Sequence, residues 1–147
     1  MTESRLTTAL AALEPLVLEG DYALLGYERG TAPPSPPEFT AESYAVRIDD
    51  PFETTMLVRR ELADRLPPAA HRTDGLRVIV LVGQLDPELA GFMSTLSGAL
   101  AERGIPLVPI GAATRDHLVG PGARWPETLA ILRGLRDAAR SLVDPDA

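Results

Sequence analysis

The run from Leu76 to Leu142 constrains this chain most, because its hydrophobic pattern changes period several times within about one small domain's length. Leu76–Val82 is almost continuously apolar and β-branched, the pattern of a buried central strand. Asp86 then offers an N-cap, Pro87 suits a first helical position, and Leu89, Phe92, Met93, Leu96 and Leu100 repeat on one helical face. Gly104 closes that helix. Ile105–Ile110 and Asp116–Val119 read as two further strands. Pro126 opens a last helix that turns Leu129, Leu132, Leu135 and Leu142 inward and Arg133, Arg136 and Arg140 outward.

Strand, helix, strand, strand, helix is a ferredoxin-like βαββαβ unit lacking its last strand. Only five residues follow Leu142, so the missing strand has to come from the N-terminal half, and Tyr22–Glu28 is the expected donor. In that half Leu6, Leu10, Leu13 and Val17 recur at helical spacing, with Pro15 marking the end of the helix. Ser43–Ile48 and Thr54–Arg59 read as strands, and Glu61–Leu66 as a short helix. Pro67, Pro68, His71 and Asp74-Gly75 form a polar joint. The expected fold is therefore α+β: two intertwined ferredoxin-like halves whose antiparallel sheets are covered by helices.

Composition narrows the chemistry. The 147 residues contain no lysine, cysteine or asparagine, so all 14 cationic side chains are arginine. Schiff-base and phosphate-loop lysines, cysteine nucleophiles, thiolate metal sites and disulfides are thereby excluded. The arginine, alanine, glycine and proline bias fits a GC-rich bacterial coding sequence. A net charge of -7 disfavours nucleic acid, and no apolar run approaches the roughly 20 residues that cross a bilayer. Glu3, Glu14 and Glu19 interrupt any leader-like start, which leads to the expectation of a cytoplasmic protein. His71 and His117 are the only histidines and lack ligand spacing, so neither a metal nor another cofactor is expected.

The segment Gly75–Pro121 resembles an ACT domain: Leu89, Gly91, Phe92, Leu96, Leu100, Ala101, Gly104 and Ile105 follow its helix pattern. Thr114, Asp116, His117, Leu118, Val119 and Pro121 follow its polar turn and third strand. More closely it is similar to small bacterial tandem-ACT proteins, to the regulatory end of aspartate kinases and to cytosolic arginine sensors. The resemblance implies residues 1–70 as an N-terminal helix with a degenerate ACT-like half, and residues 74–143 as a C-terminal ACT domain. It also implies amino-acid binding with a regulatory outcome in place of catalysis, and a homodimer formed through sheet edges or helices.

A free amino acid presents a carboxylate, an ammonium and a side chain. The turn Gln84-Leu85-Asp86, running into the expected helix, offers unpaired N–H groups to the carboxylate, while Gly91 permits close approach beside Phe92. Asp86 or Asp116 would take the ammonium, although Asp86 serves equally as a helix cap. Gly111, Thr114 and Asp116 form a second wall, or an ordinary polar turn. Thr54 and Thr55 are candidates across an interface, or plain strand residues. Trp125 is expected to anchor the last helix. The competing readings are an ACT-like interaction module without ligand and, more remotely, a cofactor-free enzyme using Asp86 and Asp116.

Overall fold

The computed structural model describes residues 2–37, 39, 43–83 and 86–146. The elements are helix α1 (Thr2–Ala11), strands β1 (Glu14–Val17), β2 (Tyr22–Glu28), β3 (Val46–Asp49) and β4 (Glu53–Arg59), and helix α2 (Arg60–Ala63). Strand β5 (His71–Val82), helix α3 (Phe92–Ala101), strands β6 (Val108–Gly111) and β7 (Asp116–Pro121) and helix α4 (Trp125–Val143) complete the chain. By their contacts the residues group into two units, Glu19–Leu76 on one side and Met1–Leu18 with Arg77–Ala147 on the other.

In the unit Glu19–Leu76 the strand order is β3, β4, β2 and then the first residues of β5. All three pairings are antiparallel, with Ile48 opposite Thr55, Leu25 opposite Met56, and Gly26 opposite His71. Alternation along β2 and β4 sends Ala23, Leu25, Tyr27, Met56 and Val58 into one core, which Leu62 and Ala63 of α2 close. The Tyr27 hydroxyl, carried inward on its ring, donates to the Pro67 carbonyl at 2.7 Å.

The polar joint expected at His71–Gly75 is strand. Its side chains are exposed, so it lacks the apolar alternation that reveals a strand in a sequence. Arg72, paired with Asp64 and Asp74, lies on this stretch. The register with β2 slips between Tyr22 and Leu24, and Gly75 supplies a φ of 70° nearby.

In the other unit β1 pairs antiparallel with the second half of β5, Leu16 opposite Val80, and Leu18 N–H donates to the Val78 carbonyl at 3.0 Å. β7 also neighbours β5, and β6 lies beyond β7. The strand beside Ile79–Val82 is thus Glu14–Val17, and not the expected Tyr22–Glu28, which pairs with His71–Leu76. Leu13 and Val17 continue the helical spacing of Leu6 and Leu10 by coincidence: the helix stops at Ala11, and Pro15 sits in a strand that pairs with β5 alone among the described residues, where its missing N–H is tolerated.

The core of this unit joins Leu13, Ile79, Leu81, Phe92, Leu96, Leu118, Leu129 and Leu132. Trp125 packs on it at the start of α4, and the Arg77 guanidinium lies over its ring at 5.5 Å from the centroid. Leu142 departs from expectation: it is 74% exposed, because burial along α4 ends at Ala139 and the last residues of the helix run beyond it.

Candidate functional site

The segment between β5 and α3 builds the site. Asp86 was expected to cap the helix, yet α3 begins at Phe92 and Gly91 is its N-cap, at φ 88°. Residues 86–89 form a turn instead, in which Asp86 accepts Glu88 N–H on its carboxylate at 2.9 Å and Leu89 N–H on its carbonyl at 3.0 Å. This local bonding competes with helix formation. Gly91 supplies the reversal into α3, and Thr95 bonds its carbonyl through both N–H and hydroxyl.

Two clefts meet at Asp86. The larger, about 390 Å³, lies between α1 and the end of β5, lined by Arg5, Thr8, Ala9, Ala12, Leu13, Leu81, Val82, Gly83, Asp86, Leu89 and Phe92. The second, about 300 Å³, is walled by Asp86, Pro87, Leu89, Gly91–Ser94 and the 112–116 turn. In the larger cleft the Arg5 guanidinium pairs with the Asp86 carboxylate.

Of the residues singled out in the sequence, Asp86, Gly91, Phe92, Thr114 and Asp116 are brought together around the second cleft. Gly111 sits beside it at the end of β6, opposite Asp116 in register. Ala112 N–H closes the hairpin on the Arg115 carbonyl at 2.9 Å, and Arg115 reaches the Thr114 hydroxyl at 3.3 Å. Gln84 and Leu85 lie outside the described residues.

Thr54 and Thr55 belong to the other unit. There the Thr54 hydroxyl donates to the Asp49 carboxylate at 2.6 Å, and Arg47 grips the same carboxylate at 2.9 Å. These bonds, Arg47's first, hold Asp49 below its usual pKa. That threonine hydroxyl is committed within its own unit.

In and just after α1, the lining residues that the sequence did not single out are Arg5, Thr8, Ala9 and Ala12. Arg5, Ala9 and Ala12 share one helical stripe, with small residues where neighbouring stripes carry leucine. That stripe is the one local signal of a cleft; the pairing of Arg5 with a residue 81 positions away leaves no trace in spacing.

Burial holds the His117 imidazole on β7 below its usual pKa, against the opposing pull of the Asp116 carboxylate. Among the described residues no group of three histidine, cysteine or carboxylate side chains is placed to hold a metal ion. Nor is any described helix long and apolar enough to cross a membrane.

No protein-family model and no curated protein matches this sequence. Solved structures do. A Vibrio cholerae protein of unknown function, described as a possible transport protein, superposes with a TM-score of 0.68 at 18% identity, over 92% of this chain and 99% of that one. The aspartate kinase of Clostridium acetobutylicum gives a TM-score of 0.63 at 7% identity, over 86% of this chain and 34% of the enzyme. The regulatory subunit of aspartate kinase from Thermus thermophilus, in its ligand-free form, gives 0.55 at 14% identity, over 83% of this chain and 97% of that subunit. The fold is ACT-like. At these identities the likeness is one of fold, and any shared ligand or activity is a separate question.

Proposed function

We propose that this chain is a non-catalytic regulatory protein of the ACT type that binds a free amino acid or a similar small ligand, with the clefts at Asp86 as its site. On this reading residues 74–143 are an ACT domain, and residues 1–70 are an N-terminal helix with a degenerate ACT-like half. The halves are interleaved in sequence, since β5 gives residues to both units and β1 precedes the half it does not join. The acidic, cysteine-free composition favours the cytoplasm of a bacterial cell, and the ACT-like fold favours a homodimer.

One observation carries the reading: an ACT-like fold whose two clefts converge on one carboxylate, already held by a cation. Both volumes are of the size that small-molecule sites occupy. Thermal unfolding of the full chain with each of the twenty amino acids at millimolar concentration tests it, because a ligand that binds only the folded state raises Tm. At least one amino acid is expected to do so. If none does, the chain is better read as an interaction module, a reading favoured by the exposed apolar side chains Phe52, Leu142 and Val143.

A further inference from the structure

We infer that the 390 Å³ cavity under α1 is the side-chain pocket of the ligand site, and that it takes α-amino acids with aliphatic or thioether side chains, Arg5 holding the carboxylate and Asp86 the ammonium. The inference rests on the amino-acid reading above and narrows it to a ligand class and a place.

The walls decide the side chain. Leu13, Leu81 and Phe92 are core residues that turn part of their surface to the cavity, and Ala9 and Ala12 keep it open from the helix side. Among the described residues Arg5 and Asp86 are the only charged lining side chains, and Thr8 carries the only hydroxyl. A lysine, arginine or aspartate side chain inside would leave a charge without a partner and be excluded by its desolvation cost. A leucine or methionine side chain restores dispersion contacts that an apolar void forfeits.

The mouth decides the head group. Arg5 and Asp86 are 54% and 47% exposed, and an ion pair this wet adds little to stability, so it opens at small cost. A zwitterion entering between them satisfies both, its carboxylate taking the guanidinium in a two-bond fork and its ammonium taking the carboxylate. One exposed pair becomes two, and no charge is left unmatched. The exchange also unties the first turn of α1 from the turn before α3.

The test is thermal unfolding and calorimetric titration of the full chain with leucine and methionine, against aspartate, lysine and threonine. 4-Methylpentanoate, which lacks the ammonium, and 3-methylbutylamine, which lacks the carboxylate, complete the series. Leucine or methionine at about 100 times Kd is expected to raise Tm by about 8 °C. Each truncated analogue, and leucine with Arg5→Gln, is expected to bind at least about tenfold more weakly. Ala9→Leu fills the cavity from α1; it is expected to keep or raise the unliganded Tm and to abolish the leucine response.

Stabilisation by aspartate, lysine or threonine but not by leucine or methionine overturns the inference and leaves the amino-acid reading standing. An undiminished leucine response in Ala9→Leu, or 4-methylpentanoate binding as tightly as leucine, does the same. Silence from all twenty amino acids overturns both. If Ala9→Leu does not fold, Arg5→Gln, a change at an exposed side chain, decides the matter through the leucine affinity.

Discussion

At the scale of single residues, the site is organised by competition for polar partners. Asp86 accepts a backbone N–H and a guanidinium at once, so it holds a turn and a distant helix together. His117 shows the opposite condition: burial disfavours its charged form more than Asp116 favours it, leaving its folded-state pKa below the ordinary value. The unfolded chain then binds the proton more tightly than the folded one. Stability from this residue is fully present above the unfolded pKa of about 6.5 and is lost as pH falls from there towards the folded value. Denaturant midpoints measured between pH 7.5 and 5 are expected to fall below about pH 6.5, and less steeply in His117→Asn. An unchanged slope in that variant would assign the acid sensitivity to other groups.

At the scale of elements, the start of α3 separates what the sequence displays from what it conceals. The pattern Asp86-Pro87 followed by periodic leucines is a sound helix signal, and the helix itself is present, but it begins at Phe92. The glycine at position 91, read for its openness, is the residue that turns the chain into the helix. Gly91→Ala forces a side chain into a left-handed conformation, a penalty of about 1–2 kcal/mol, with its Cβ 3.4 Å from Leu6 Cδ2. Asp86→Ala removes only the bond from Glu88 N–H and an exposed ion pair, and keeps the backbone bond to Leu89, a loss of about 1 kcal/mol. Chemical denaturation is expected to rank Gly91→Ala as the more damaging; the reverse order would restore Asp86 as a helix cap.

The same contrast runs through the other elements. Strand β2 was legible to the residue and β4 nearly so, because alternation in half-buried strands is local. The last helix was legible from Pro126 and its leucine face, though not the exposure of Leu142, which depends on where the core ends. Strand β1 was hidden by four residues that continue a helical spacing, and the first part of β5 by side chains that all face solvent. Both are strands by virtue of partners far away in sequence. The 112–116 turn and the residues around Gly91 were found because turn chemistry is local; Arg5 was missed because its role exists only once α1 has packed.

At the scale of the whole molecule, the question is which surface a second copy would use. Sheet edges are the usual route, and here they are blunted. β3 has four residues and carries Arg47 and Asp49, β6 has four and carries Pro109, and β1 has four and carries Glu14 and Pro15. Short length, charge and proline each hinder edge pairing. The end of α4 offers instead Leu142 at 74% and Val143 at 54% exposure, adjacent apolar side chains on a helix that has outrun its core. Of the two routes open to the proposed homodimer, helices are therefore favoured over edges. Leu142→Asp is expected to shift the sedimentation coefficient to that of a 15.7 kDa monomer, while Ile48→Lys on β3 leaves it unchanged. Because Leu142 is exposed, its replacement should alter Tm little in the monomer, so a lost dimer cannot be mistaken for an unfolded chain. Dissociation by Ile48→Lys alone would move the interface to the sheet edge, and a wild-type monomer at all concentrations would remove the homodimer.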